Sequence, residues 1–184
     1  MYKTLIPIVV LSSFFFSSCG EKTLGPDDVE YRRDENGTRI LYEIAQAEPF
    51  GSFHRSYVQG RFANGEIRFR IGFRNGLKDG PFIFNHPNGQ LRLQGSYENG
   101  VRDGTFMAFG KIGELIYEKN FLNGELDGNF SLFYAASESD VYRYREAVRQ
   151  GEEFPSIKDH IRLKAQFKKG KPFGPYIAYY HPRG

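Results

Sequence analysis

Apolar and polar residues alternate strictly over several stretches of this chain. In 91–98, Leu91, Leu93, Gly95 and Tyr97 fall on one side, and Arg92, Gln94, Ser96 and Glu98 on the other. In 67–74, Ile67, Phe69, Ile71 and Phe73 alternate with Arg68, Arg70, Gly72 and Arg74. Period two puts successive side chains on opposite faces of a strand, one buried and one wet. Each stretch ends at an Asn-Gly pair, Asn75-Gly76 or Asn99-Gly100, where positive φ is cheap and the chain can reverse. A short aromatic strand follows, 105–109 in the second case, and then another turn at 110–113. The pattern predicts β-hairpins that follow one another as a meander.

The hairpins repeat. Residues 65–88, 89–112 and 113–136 are three tandem copies of one 24-residue unit. Gly65, Gly89 and Gly113 keep the period, as do Phe73, Tyr97 and Phe121, then Phe82, Phe106 and Phe130. A fixed period of this length marks an array in which each unit covers its neighbour's apolar face. Two weaker copies flank the core. A leading copy sets Ile40, Tyr42 and Ile44 under Phe69, Ile71 and Phe73, with Ala47 in place of the turn glycine and an enlarged loop over 54–64. A trailing copy runs through Ile161, Leu163, Ala165 and Phe167 to Gly170 and Gly174. The expected fold is all-β, an elongated antiparallel meander of about five stacked hairpins with one short helical insertion. The repeat domain is placed at 36–184.

Gly76, Gly80, Gly100, Gly104, Gly124 and Gly128 recur at the turns and read as backbone-geometry positions. A phosphate-binding loop would lead into a helix N-terminus, and each of these leads into a strand. The aromatic ladder reads as a packed spine rather than a platform for stacking bases. Asp79, Asp103 and Asp127 directly precede Gly80, Gly104 and Gly128 and are expected to cap their own turns; a row of cation-binding carboxylates is the other reading. The insertion, 137–159, breaks the pattern. Ser137 and Ser139 suit a helix cap, and Val141, Tyr144 and Val148 share one face, so a helix is expected near 139–150, stopped by Gly151. The insertion is either a cap over the end of the sheet or a member-specific binding element.

The first residues are of another kind. Lys3 gives a short positive start, 5–16 is mostly apolar and too short to span a bilayer, and Ser17-Ser18 precede Cys19, the sole cysteine. That order predicts a signal peptide over 1–18, and it looks like a bacterial lipoprotein signal, a class in which the cysteine carries the lipid. Cys19 is thus the candidate lipidation site, and no intrachain disulfide is available. Residues 19–35 are mostly polar and read as the lipidated cysteine and a flexible tether. The expected location is the bacterial cell envelope, with the protein lipid-anchored to a membrane.

The string 97–106, Tyr-Glu-Asn-Gly-Val-Arg-Asp-Gly-Thr-Phe, with close variants at 73–82 and 121–130, resembles the MORN repeat, in the bacterial form found in proteins labelled YwqK-family antitoxins. The resemblance covers 65–136 closely and 38–184 in outline. Departures are the absence of tryptophan, the imperfect leading copy and the insertion. It implies an elongated, curved antiparallel sheet used for protein contact, for spacing or, in some members, for lipid contact. The antitoxin role transfers poorly to an exported chain.

Charge and chemistry narrow the picture further. The formal net charge is +3, and removal of Lys3 with the signal leaves +2, so bulk charge gives no reason to expect nucleic-acid binding. His86 and His181 sit in His-Pro turns, and no pair of the four histidines has helical or strand spacing suited to a metal. There is no free cysteine nucleophile and no serine in a nucleophile-elbow setting. No enzyme activity, metal or cofactor is expected. A local basic patch is expected on the wet face from Arg68, Arg70, Arg74 and Arg92, with Arg102 in an adjoining turn. It either meets an anionic partner or is a solvated face whose arginine stems cover apolar surface. The leading functional reading is a membrane-anchored envelope lipoprotein whose sheet is a protein-binding or scaffolding module, its partner unidentified. The alternative is an immunity or antitoxin-like protein that neutralises a toxin.

Overall fold

Strands form where the alternation is regular, and reversals fall at the Asn-Gly pairs. The computed structural model describes residues 21–153 and 160–180. The three core hairpins are Ile67–Arg74 (β6) with Leu77–Asn85 (β7), Leu91–Glu98 (β8) with Val101–Phe109 (β9), and Leu115–Leu122 (β10) with Glu125–Phe133 (β11). At their tips Asn75 and Gly76 have φ of 50° and 72°, Asn99 and Gly100 48° and 87°, and Asn123 and Gly124 50° and 87°. Two successive positive φ angles give the tight turn whose twist matches that of the flanking strands.

Ser56–Arg61 (β5) precedes the core and Ile161–Lys168 (β12) follows it, and β5 to β12 pair antiparallel in chain order. Thr23–Leu24 (β1) joins the outer edge of β5 in parallel. Lys171–Pro172 (β13) and Ile177–Ala178 (β14) pair with β12. A separate sheet of three antiparallel strands comprises Val29–Arg33 (β2), Arg39–Glu43 (β3) and Glu48–Pro49 (β4). The insertion forms one helix, Glu138–Gln150 (α1).

One register row crosses the long sheet as Gly60, Phe69, Phe84, Leu93, Ala108, Tyr117, Leu132, Leu163 and Ala178. The row behind it runs Gln59, Arg70, Ile83, Gln94, Met107, Glu118, Ser131, Lys164 and Ile177, so the sheet has an apolar and a mixed face. Burial is concentrated in two clusters. Leu41 and Phe50 pack on Val58 and Phe73, where the small sheet meets the long one. Phe82, Phe106 and Phe121 form the second, with ring centroids 5.3 Å and 4.9 Å apart. Phe130 was expected to continue that spine, but its ring pairs with Phe167, at 5.4 Å. Lys119 pairs with Phe106 on one side and Phe130 on the other and interrupts the ladder there.

Several sequence expectations need correction. Residues 21–35 are not a free tether. Leu24 and Val29 pack against the first cluster, Tyr57 N–H donates to the Lys22 carbonyl at 2.7 Å, and the Lys22 ammonium pairs with buried Glu43 at 2.6 Å. The leading copy is the small sheet, not the first hairpin of the long one. Within it Leu41 and Glu43 are buried while Ile44 is exposed, one residue out of phase with the alignment. A one-residue slip exchanges the two faces of a strand. The loop expected over 54–64 contains β5. Gly80, Gly104 and Gly128 lie inside β7, β9 and β11, at bulges rather than turns. Pairing slips by two there, for example from Ile71 opposite Phe82 to Phe73 opposite Lys78. Their φ angles of 82°, 81° and 101° suit glycine.

Candidate interaction surfaces

The aspartate row links repeats instead of capping its own turns. Asp79 Oδ2 accepts from the backbone N–H of Asn99 at 3.5 Å, Asp103 Oδ2 from Asn123 at 3.3 Å, and Asp127 Oδ2 from Lys169 at 3.1 Å. Each carboxylate therefore steadies the tight turn of the next hairpin. The backbone does the same beside it. Gly100 N–H donates to Lys78, Gly124 to Arg102 and Gly170 to Leu126, each at 2.8 Å. At the opposite edge Asn64 Nδ2 donates to Pro87 and Asn88 Nδ2 to Lys111, again one repeat onward.

Asp79 is buried and pairs with Arg55 at 2.6 Å. Burial pushes its carboxyl up, but the Arg55 hydrogen bond, the Asn99 N–H and the charges of Arg55 and Arg74 outweigh this and hold it below the ordinary 3.8. Arg55 also explains Gly80, since a Cβ there would meet its Nε at 2.5 Å.

The arginines of the expected basic patch each have neighbours of their own. The Arg70 guanidinium lies 3.9 Å above the Tyr57 ring and 3.6 Å from Glu21. Arg74 is 3.6 Å from Asp79. Arg102 stacks on Phe121 at 4.1 Å and donates to the Gly124 carbonyl at 3.2 Å. Arg68 and Arg92 approach Phe69 and Phe84, at 5.9 Å and 5.6 Å. Each of these guanidinium groups lies near a ring or a carboxylate.

The helix carries the expected cap. Asp140 N–H donates to Ser137 Oγ at 3.2 Å, Ser137 N–H donates to Asp140 Oδ2 at 3.1 Å, and Gly151 closes the helix at φ 68°. Ala147 is its buried residue, and Val148 is exposed. Asn88 Nδ2 donates to Tyr144 Oη at 3.1 Å, which ties the helix to the turn between β7 and β8.

Two surface cavities lie among the described residues. One, of about 430 Å³, lies between the small sheet and the 99–100 turn, with Tyr31, Arg39, Leu77, Lys78 and Val101 in its walls. Burial raises the Tyr31 hydroxyl above its usual range, against the opposing pull of Arg39. The other, of about 340 Å³, is at the far end, where Glu118, Ser131, Lys164, Pro175 and Ile177 line it. Among the described residues no group of three His, Cys, Asp or Glu side chains is placed to hold a metal. His86 Nε2 lies 3.0 Å from the Phe109 carbonyl, in keeping with a turn residue, and Cys19 and His181 lie outside the described residues. No helix among those residues is long and apolar enough to cross a membrane. No family model, curated protein or solved structure matches the chain.

One surface escaped the sequence reading. From His160 onward the chain carries Arg162, Lys164, Lys168, Lys169, Lys171 and Arg183, and no Asp or Glu. In the same stretch Phe173, Tyr176, Ile177, Tyr179 and Tyr180 are exposed, Tyr180 almost wholly. The absence of acidic residues was legible in the sequence. The exposure was not, because the alternation of β12 promised a covered face.

Proposed function

We propose that the protein is a membrane-anchored envelope lipoprotein, MORN-like in its repeats, whose sheet is a protein-binding or scaffolding module. Cys19 would carry the lipid, on the strength of the residues that precede it. The observation that carries the binding role is the unequal treatment of the two ends of the array. The β5 end is covered by β1 and the small sheet, whereas the β12 end leaves a run of aromatic side chains in solvent. Contiguous exposed apolar surface on a folded domain marks a contact site. Arg68, Arg70, Arg74, Arg92 and Arg102, by contrast, have rings or carboxylates beside them.

Two measurements test this reading. Cys19→Ala should leave the membrane fraction after a salt wash; a variant that still floats with membranes removes the lipid anchor. A photo-crosslinking residue at Tyr176 should give a discrete adduct in intact cells, and one at Tyr142 on α1 should not. Absence of an adduct at both positions removes the binding role.

A further inference from the structure

The β12 end combines three features. Phe173, Tyr176 and Ile177 are exposed apolar side chains. Arg162, Lys164 and Lys168 are exposed cations on alternate positions of β12, and Lys168 stands 5.5 Å over the Phe173 ring. Between β12 and Ile177 lies the cavity of about 340 Å³, with Lys164 in its wall and Glu118 as the carboxylate of its lining.

Charge decides which partner fits. A second copy of this end would bring like charges together, since 160–184 holds six basic residues and no acidic one. Such juxtaposition opposes association. A flat anionic bilayer would answer the charge but leave the cavity unused. A protein segment that carries carboxylates beside aromatic or aliphatic side chains answers all three features. Its carboxylates meet Arg162, Lys164 and Lys168, its apolar groups cover Phe173 and Ile177, and one side chain enters the cavity.

We infer that the β12–β14 end is the docking surface for an acidic, aromatic-containing protein segment. This rests on the binding role proposed above and names the chemistry of the partner. Phe173 and Ile177 are the apolar anchors, and Lys164 is the cation in the cavity wall. Like most charged groups at the rim of an interface, Arg162 and Lys168 set partner choice and encounter rate.

The test uses the full lipidated chain in detergent micelles, titrated with a glutamate–tyrosine copolymer, with polyglutamate, and with micelles doped with phosphatidylglycerol. The copolymer should bind best. The Lys164→Glu, Lys168→Glu pair should weaken it about tenfold, the sum of two lost exposed ion pairs and two new repulsions. Phe173→Ser, which leaves the charge unchanged, should also weaken the copolymer and leave polyglutamate unaffected. Equal binding of both polymers with no effect of Phe173→Ser would mean bulk charge alone and overturn the proposal. Preferred binding to phosphatidylglycerol micelles with the same sensitivities would make the surface a lipid contact and overturn it equally. A crosslink at Tyr176 in cells, together with no preference for the copolymer, would keep the binding role and remove the acidic partner.

Discussion

Phe50 and Phe173 hold the same place in the repeat and meet opposite fates. Each precedes a glycine of left-handed conformation, Gly51 at φ 79° and Gly174 at φ 80°. In the three core hairpins that place belongs to Asp79, Asp103 and Asp127. Phe50 is 1% exposed and Phe173 is 56% exposed. The difference is not in the residue but in what lies over it. At one end Leu41, Val58 and Phe73 close around the ring. At the other the chain contributes two-residue strands and prolines, and the ring is left to a lysine. A phenylalanine side chain cannot accept the N–H of a following turn as these aspartates do. At Phe50 backbone carbonyls hold the following turn instead: Asn75 N–H donates to the Gly51 carbonyl at 3.1 Å and Gly76 N–H to the Phe50 carbonyl at 2.8 Å.

The sharpest test of this contrast is a pair of truncations. Phe50→Ala should lower unfolding stability by about 4 kcal/mol, from lost transfer energy and an unfilled cavity. Phe173→Ala should change it by less than about 0.5 kcal/mol. Urea midpoints measured side by side decide it, and equal losses would break the comparison. Next come two turn glycines of like φ. A Cβ at Gly76 (φ 72°) would sit 2.3 Å from Ile40 Cγ2 and 2.6 Å from the Leu41 carbonyl, whereas at Gly170 (φ 74°) it meets open space. Gly76→Ala should therefore cost about 3 kcal/mol and Gly170→Ala about 1 kcal/mol, the conformational part alone.

The aspartates grade the same way. Asp79→Ala should cost about 2 kcal/mol, kept modest because Arg55 stays partly in solvent, and Asp127→Ala about 0.5–1 kcal/mol as a lost cap. Asp79 also predicts a pH effect. Its folded pKa is depressed, so its contribution is present above the unfolded value of 3.8 and is lost as pH falls through the lower folded value. Asp79→Asn should flatten that acid limb of the stability profile. An unchanged limb would mean that the Arg55 pair does not persist in solution. The smallest effect is expected at α1, where Tyr144→Phe removes one exposed hydrogen bond to Asn88 and should shift stability by less than about 1 kcal/mol.

What could be read from the sequence follows how local the information is. The core hairpins were legible because three copies each carry alternation, an Asn-Gly turn and a period, and these signals agree. The helix was legible from Ser137, Asp140 and Gly151, all within one segment. The small sheet was not, because its phase is set by contacts far along the chain, such as Leu41 N–H to the Gly76 carbonyl at 2.9 Å. Residues 21–35 misled for the same reason. Their composition is that of a linker, and what holds them is Glu43, Tyr57 and Val58. The aspartates were placed correctly along the chain but assigned to the wrong turn, since a carboxylate's partner one repeat away in space has no mark in sequence.

The pinning of Lys22 has a mechanical consequence. If Cys19 is the lipidated residue, as proposed, three residue steps separate the acyl chains from the first fixed bond, a span of about 11 Å at most. So short a leash makes the anchor a bracket rather than a string. It would hold the β5 corner against the headgroups and restrict the tumbling of everything beyond it. The β12 edge lies seven strand spacings further on, about 34 Å along the sheet. A partner bound there would be held at a standoff set by the number of repeats, so the array would act as a ruler as well as a surface.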